Sequence, residues 1–173
     1  MSETGKYRPL TTPYCIGNGV DIGSQGDPVV PWAISMDLPA NQYLIYSSNN
    51  AADTGIQWHG DGRALPFKDN TLDFVYSSHL LEDFLEWGPI LQEWTRVLKP
   101  GGHLIILVPD KLRWGEAILQ GQPPNCAHTH ESYPGEISEQ ILKAGCKYAV
   151  IRDSLTLVTP EDYSILFIGL KQD

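Results

Sequence analysis

Short apolar runs along the chain are separated by stretches in which apolar positions recur at helical spacing or polar residues form loops. The run Leu104-Ile105-Ile106-Leu107-Val108 has no polar alternation, as expected of a strand covered on both faces at the centre of a parallel sheet. That strand is predicted over His103 to Val108, and others over Gly19 to Ile22, Ala33 to Asp37, Leu72 to Tyr76, Tyr148 to Leu157 and Ser164 to Leu170. Pro89 to Leu98 reads as a helix, with Gly88 as its N-cap, proline at the first helical position, and Ile90, Leu91, Trp94, Val97 and Leu98 on one stripe. Lys99-Pro100-Gly101-Gly102 is expected to end it in a turn. A second helix is predicted over Gly135 to Ala144, turning Ile137, Ile141 and Leu142 inward and stopping at Gly145. Residues 112–133 break the alternation and read as an inserted lid or substrate loop. The economical architecture is an open, mostly parallel sheet with helices on both faces, binding its ligand beyond the carboxyl ends of the strands.

A chain of 173 residues has room for one domain, 1–173, and its 42% hydrophobic and 19% charged residues are those of a globular protein. A net charge of -9 is the wrong sign for neutralising phosphates, so nucleic acid is disfavoured as a partner. No apolar stretch approaches the ~20 residues of a membrane helix, and the first twenty residues lack an apolar block with a basic flank. Cys15, Cys126 and Cys146 form no CxxC pair. Free thiols, a reducing compartment and a cytoplasmic location are expected.

Val20-Asp21-Ile22-Gly23-Ser24-Gln25-Gly26-Asp27-Pro28 is a strand running into a glycine-bearing turn, where a sheet lets a ligand approach the backbone. No Lys or Arg occurs from Pro9 to Gly62, whereas Asp21, Asp27, Asp37, Asp53 and Asp61 all do. Such a stretch repels a dinucleotide's pyrophosphate and suits a cationic ligand without phosphate. S-adenosyl-L-methionine is one. Together with Ile34-Ser35-Met36-Asp37, Gly60-Asp61-Gly62-Arg63-Ala64-Leu65-Pro66-Phe67, Asp73-Phe74-Val75-Tyr76-Ser77-Ser78-His79 and Arg96-Val97-Leu98-Lys99-Pro100-Gly101-Gly102, the segment Gly19-Val20-Asp21-Ile22-Gly23 resembles the class I S-adenosylmethionine-dependent methyltransferases. The likeness is to their small type-11-like domain and runs from about Gly17 to Leu170. It implies a three-layer Rossmann-like fold with a mostly parallel seven-stranded sheet and an antiparallel edge hairpin.

Residue by residue, the resemblance implies that Asp21 and Gly23 shape the loop under the methionine part of the cofactor and that Asp37 accepts both ribose hydroxyls. Asp61 would accept from the adenine amino group, with Gly62 and Arg63 beside the ring. Ser77, Ser78 and His79 would line the cleft near the sulfonium, and Ser24, Gly26 and Leu38 complete the shell. Read on their own, Ser24 and Cys15 are loop and packing residues. One departure is Gln25, which stands where the family usually has a second glycine, a side chain that could crowd the cofactor. His79 is the candidate base, with a structural strand-end role as the alternative.

In Asn125-Cys126-Ala127-His128-Thr129-His130-Glu131 three potential ligands alternate, but no second ligand pair at zinc-site spacing exists. No metal is expected, and His128 and His130 are read as a substrate-facing loop. Among the tryptophans, Trp94 lies on the helix stripe as core and Trp114 is the better substrate candidate.

These readings predict methyl transfer from S-adenosyl-L-methionine to an oxygen or nitrogen of an unidentified small molecule, glycan or protein side chain. Ser77-Ser78-His79-Leu80 is neither the Asn-Pro-Pro-Tyr type of adenine and amide methylation nor the Pro-Cys of pyrimidine-carbon methylation. The rival class is a non-catalytic binding or partner subunit on the same fold. Residues 1–18 are too few for a full lid, so the cleft is expected to be open or completed by a second copy in a homodimer. An NAD-dependent oxidoreductase is disfavoured by Asp27 and the incomplete glycine pattern.

Overall fold

Leu104 to Val108 are all fully buried and lie on an inner strand, β5 (Leu98–Pro109). Alternate side chains feed opposite faces, with Leu104, Ile106 and Val108 in one core and Ile105 and Leu107 in the other. The computed structural model describes residues 3–39, 55–125 and 127–173. Its other strands are β1 (Gly19–Ile22), β2 (Ile34–Asp37), β3 (Trp58–His59), β4 (Leu72–Ser78), β6 (Tyr148–Leu155) and β7 (Ser164–Lys171), in the order β3-β2-β1-β4-β5-β7-β6. The first five pair in parallel, and β7 runs antiparallel to β5 and β6. This is the Rossmann-like sheet with an antiparallel hairpin at one edge. β4 is at the middle of the order and β5 beside it, so the unalternated run sits one strand from the centre.

One face is covered by α2 (Trp87–Val97) and α4 (Glu136–Lys143), whose Ile90, Leu91, Trp94, Val97, Ile137 and Ile141 join the larger core. α2 begins two residues before the predicted Pro89, with Glu86 as N-cap, which leaves Gly88 inside its first turn. The Lys99 to Gly102 turn is instead a bulge in β5. Leu72 pairs with Leu98 and Phe74 with His103, so the intervening residues loop out of register.

On the other face, strict alternation of strand and helix fails. Between β1 and β2 there is no helix, and Val29, Val30 and Ala33 of the connection pack directly on the sheet. A helix not read from the sequence, α1 (Glu3–Thr11), shares that face through fully buried Tyr7. Polar anchors fix it. Tyr7 donates to Asp162 at 2.5 Å, and Lys6 lies 3.1 Å from the same oxygen. The region read as one insertion opens with α3 (Lys111–Leu119), capped by the Asp110 side chain and burying none of its own residues. Among the described residues, no helix is long and apolar enough to cross a membrane.

Candidate active site

The carboxyl ends of β1, β2, β3 and β4 are neighbours in the sheet, so four of the sequence segments singled out meet along one edge. After β1 the chain turns through three left-handed residues, Gly23 (φ 79), Gln25 (φ 49) and Gly26 (φ 78). Gln25 thus keeps the backbone path of a glycine at a cost of roughly 1 to 2 kcal/mol. Its amide donates to Asp37 Oδ2 at 2.8 Å, and Leu38 N donates to Oδ1 at 2.8 Å. Gly23 N and Ser24 N both donate to the Met36 carbonyl, and Ser24 Oγ lies 2.7 Å from Ser35 Oγ. The glycine loop is therefore folded down onto the end of β2. Each Asp37 oxygen accepts one backbone N–H and keeps one acceptor position, which fits the vicinal diol of a ribose.

Asp21 stands apart from that edge. It is buried, accepts from Val29 N at 2.6 Å and so pins the β1–β2 connection. Burial pushes its carboxyl up to about 8, against the lowering effect of that hydrogen bond and with help from the Asp37 charge. Asp27 is not the isolated negative charge read from the sequence. Arg8 of α1 pairs with it at 2.5 Å and donates to the carbonyls of Pro28 and Val29. This partial neutralisation weakens the argument that the loop repels phosphate by charge alone.

Beyond β3, Asp61 is gripped by Arg63, whose side chain reaches both carboxylate oxygens while its amide donates to Oδ1. The guanidinium first of all holds the Asp61 carboxyl below its usual range. The expected adenine acceptor is thus engaged by the residue expected beside the ring. Gly62 is hemmed in by Ile22 and Phe84, and its carbonyl accepts from Trp94 Nε1 at 2.9 Å, which gives the core tryptophan of α2 a second task.

At the end of β4, Ser77 Oγ donates to the Ile22 carbonyl, locking β4 to β1. Ser78 is half-buried, and His79 follows in a left-handed conformation (φ 53). His79 Nε2 lies 2.9 Å from Ser164 Oγ, its Nδ1 3.5 Å from Glu82 Oε1, and its ring is edge-on to Tyr163. Nε2 is thus engaged by Ser164, while Nδ1 is turned toward the Glu82 carboxylate. Ser164 Oγ is in turn 2.7 Å from the Tyr7 hydroxyl. The single phenolic proton goes to the Asp162 carboxylate, so the serine proton serves Tyr7 and the imidazole donates from Nε2.

Glu82 and Asp83, in a 3-10 turn (Leu81–Asp83), were missed in the sequence. Glu82 is fully buried, and its Oε1 also lies 3.6 Å from His128 Nε2. Burial, then the Glu82 charge, raises the Asp83 carboxyl to about 7, while burial lowers His128. Thr129 latches the two segments by donating its amide and hydroxyl to the Glu82 carbonyl. Only this long-range contact reveals the cluster, because nothing in the local sequence ties Glu82 to His128.

Trp114 lies 5.4 Å from the His128 ring and 4.9 Å from Tyr163. Trp114, His128 and His130 border one cavity of about 290 Å3, together with Pro109, Ile118 and Thr129. The two histidines do not act as a pair. His130 Nε2 lies 2.7 Å from Glu136 Oε1, and its ring packs on Trp87. Cys126 lies outside the described residues.

Residues 32–106 match the family described as "Methyltransferase domain", Methyltransf_11. A demethylmenaquinone methyltransferase from Shouchella clausii is 35% identical over 89 residues, covering 50% of this chain and 36% of that protein. One of the same name from Bacillus cereus is 45% identical over 49 residues, covering 28% and 21%. The chain therefore spans about a third or less of these relatives' length. Among solved structures, an S-adenosylmethionine-dependent methyltransferase from Thermotoga maritima superposes with TM-score 0.68 at 19% identity, covering 98% of this chain and 89% of that one. A chain from the Haloferax volcanii complex of the Trm112 methyltransferase activator with a methyltransferase gives 0.65 at 16% identity, covering 99% and 92%. At such identities these structures establish the shared fold.

Proposed function

We propose, for a chain that carries a class I S-adenosylmethionine-dependent methyltransferase domain, that it binds S-adenosyl-L-methionine across the ends of β1 to β4 and methylates an oxygen or nitrogen of an acceptor in the Trp114–His128 cavity. The observation that carries the reading is Asp37, a buried carboxylate at the β2 end whose two oxygens each retain an acceptor position beside the glycine loop. When bound, the cofactor supplies a methyl group already activated on sulfur, so the protein's work is alignment. Asp37 would hold the ribose, the loop from Gly23 to Gly26 would lie under the methionine part, and Leu38, Gly62 and Arg63 would flank the base. Ser77 and Ser78 would border the reacting end. His79, fixed by Ser164, serves as a positioning residue. Trp114 and His128 would form the acceptor wall.

Calorimetric titration with S-adenosylmethionine, its demethylated product and NAD tests the cofactor. Heat with NAD alone would end the reading. Transfer of a labelled methyl group to a panel of phenols, amines and a demethylated menaquinone tests the acceptor, the last being the substrate class in the name of the quinone-methylating relatives.

A further inference from the structure

We infer that Glu82, Asp83 and His128, with His79 beside them, form a binding site for one first-row divalent cation of the zinc type, a site that shares His128 with the wall of the acceptor cavity. The ligand atoms of Glu82, Asp83 and His128 all lie within 4.8 Å of one another. Glu82 is fully buried, yet among the described residues neither of its oxygens has a hydrogen-bond partner, nor does buried Asp83 Oδ1. Bare buried carboxylate oxygens are costly unless a cation or a donor serves them.

The spacing distinguishes between those two remedies. His79 Nδ1 and His128 Nε2 stand 3.5 and 3.6 Å from the same Glu82 oxygen, with neither reaching an ordinary hydrogen bond. Two ligands bonded to one ion at roughly 2.0 to 2.2 Å stand roughly 3 to 3.6 Å apart, which is the separation found. Mixed imidazole and carboxylate donors suit zinc and its first-row neighbours over calcium or magnesium.

The outer contacts agree. A metal-bound imidazole commonly passes its other N–H to a protein acceptor that fixes the ring. His79 does so from Nε2 to Ser164, which Tyr7 and Asp162 orient in turn. His128 is held by the latch of Thr129 on the Glu82 carbonyl, and it also walls the cavity. An acceptor oxygen entering there would sit within reach of the ion. That last step rests on the methyltransferase reading, whereas binding of the ion does not.

The test is titration of chelator-treated full-length protein with Zn2+, followed by calorimetry and by tryptophan fluorescence, since Trp114 lies against His128. One equivalent should bind and raise the melting temperature. Glu82→Gln and His128→Ala should each weaken binding roughly 10- to 100-fold or more, while His130→Ala, bonded to Glu136 instead, should leave it unchanged. Absence of saturable binding and of any thermal shift in the parent protein would overturn the site, even should the variants misfold. Equal affinity in folded Glu82→Gln and parent would overturn it as well. If zinc binds but no methyl acceptor is found, the cation site stands and only the enzymatic reading fails.

Discussion

Arg8 of α1 and Asp27 of the β1–β2 connection face each other at 2.5 Å, and the same guanidinium donates to the Pro28 and Val29 carbonyls. In a fold that here lacks a helix between β1 and β2, one side chain from the preceding helix takes up the task of bracing the connection behind the glycine loop. Arg8→Ala should lower stability by roughly 1 kcal/mol, because the ion pair is partly exposed and the carbonyl bonds go to water instead. Arg8→Lys should recover only part of this, since an ammonium cannot span three acceptors in a fixed fork. Thermal denaturation of both variants checks it.

Asp37→Ala should weaken S-adenosylmethionine binding by about 1.5 to 3 kcal/mol, roughly 10- to 100-fold, through loss of a charged acceptor. Gln25 N and Leu38 N lose their partner too, so the loop loosens. Calorimetry on the folded variant decides. Unchanged affinity would remove Asp37 from the cofactor site.

Gln25→Gly should stabilise the protein by up to about 1 kcal/mol and leave cofactor affinity equal or higher, because glycine adopts φ 49 without strain. Gln25→Val should do the reverse, a β-branched residue being poorly suited to that conformation. Urea denaturation curves for the two variants, read against the parent, test the sign.

Asp21 makes stability depend on pH in a definite direction. Its carboxyl sits near 8 when folded, well above an unfolded value near 4. Between those values the unfolded chain has released the proton and the native chain retains it. Stability should therefore fall as pH rises from about 4 to about 8 and level off above. Asp21→Asn keeps an acceptor for Val29 N and abolishes the ionisation. Its melting temperature should exceed that of the parent near pH 8, with the difference vanishing toward pH 4.

Tyr7→Phe should cost roughly 1 to 2 kcal/mol, by removing a donor to Asp162 and an acceptor for Ser164. The imidazole proton resonances of His79 should shift as well, since its serine partner reorients. A variant that loses stability while those resonances stay fixed would sever the proposed relay.

Much of the sheet was legible because buried strands announce themselves. Leu104 to Val108 and the run from Leu72 are apolar enough to be read without context, and β1 has the predicted bounds. What escaped reading has a common physical origin. α1 carries Pro9 and has no apolar stripe, being held by Lys6, Tyr7 and Arg8 through polar contacts with distant residues. β3 is two residues long and exposed on both. α3 buries nothing, so Leu112 and Leu119 face water and its helical period carries no core signal. At the site, Asp37 was singled out through the family resemblance of Ile34-Ser35-Met36-Asp37. Glu82 and Asp83 were not, since their significance depends on His128 arriving from another segment.

The chain of hydrogen bonds through Tyr7, Asp162, Ser164 and His79 joins positions 155 and 157 apart in sequence. Contacts of such separation are the last to repay their loop-closure entropy. α1 should therefore dock only after β7 has paired with β5, and should be among the first elements to detach when the protein is stressed. Ser164 meets His79 when β7 joins the sheet, but the serine hydroxyl is directed by Tyr7 only at that late step. A sheet could thus be fully assembled, with its core buried and His79 already against Ser164, while the proton order of the chain is still unset, and competence would lag behind compaction during refolding.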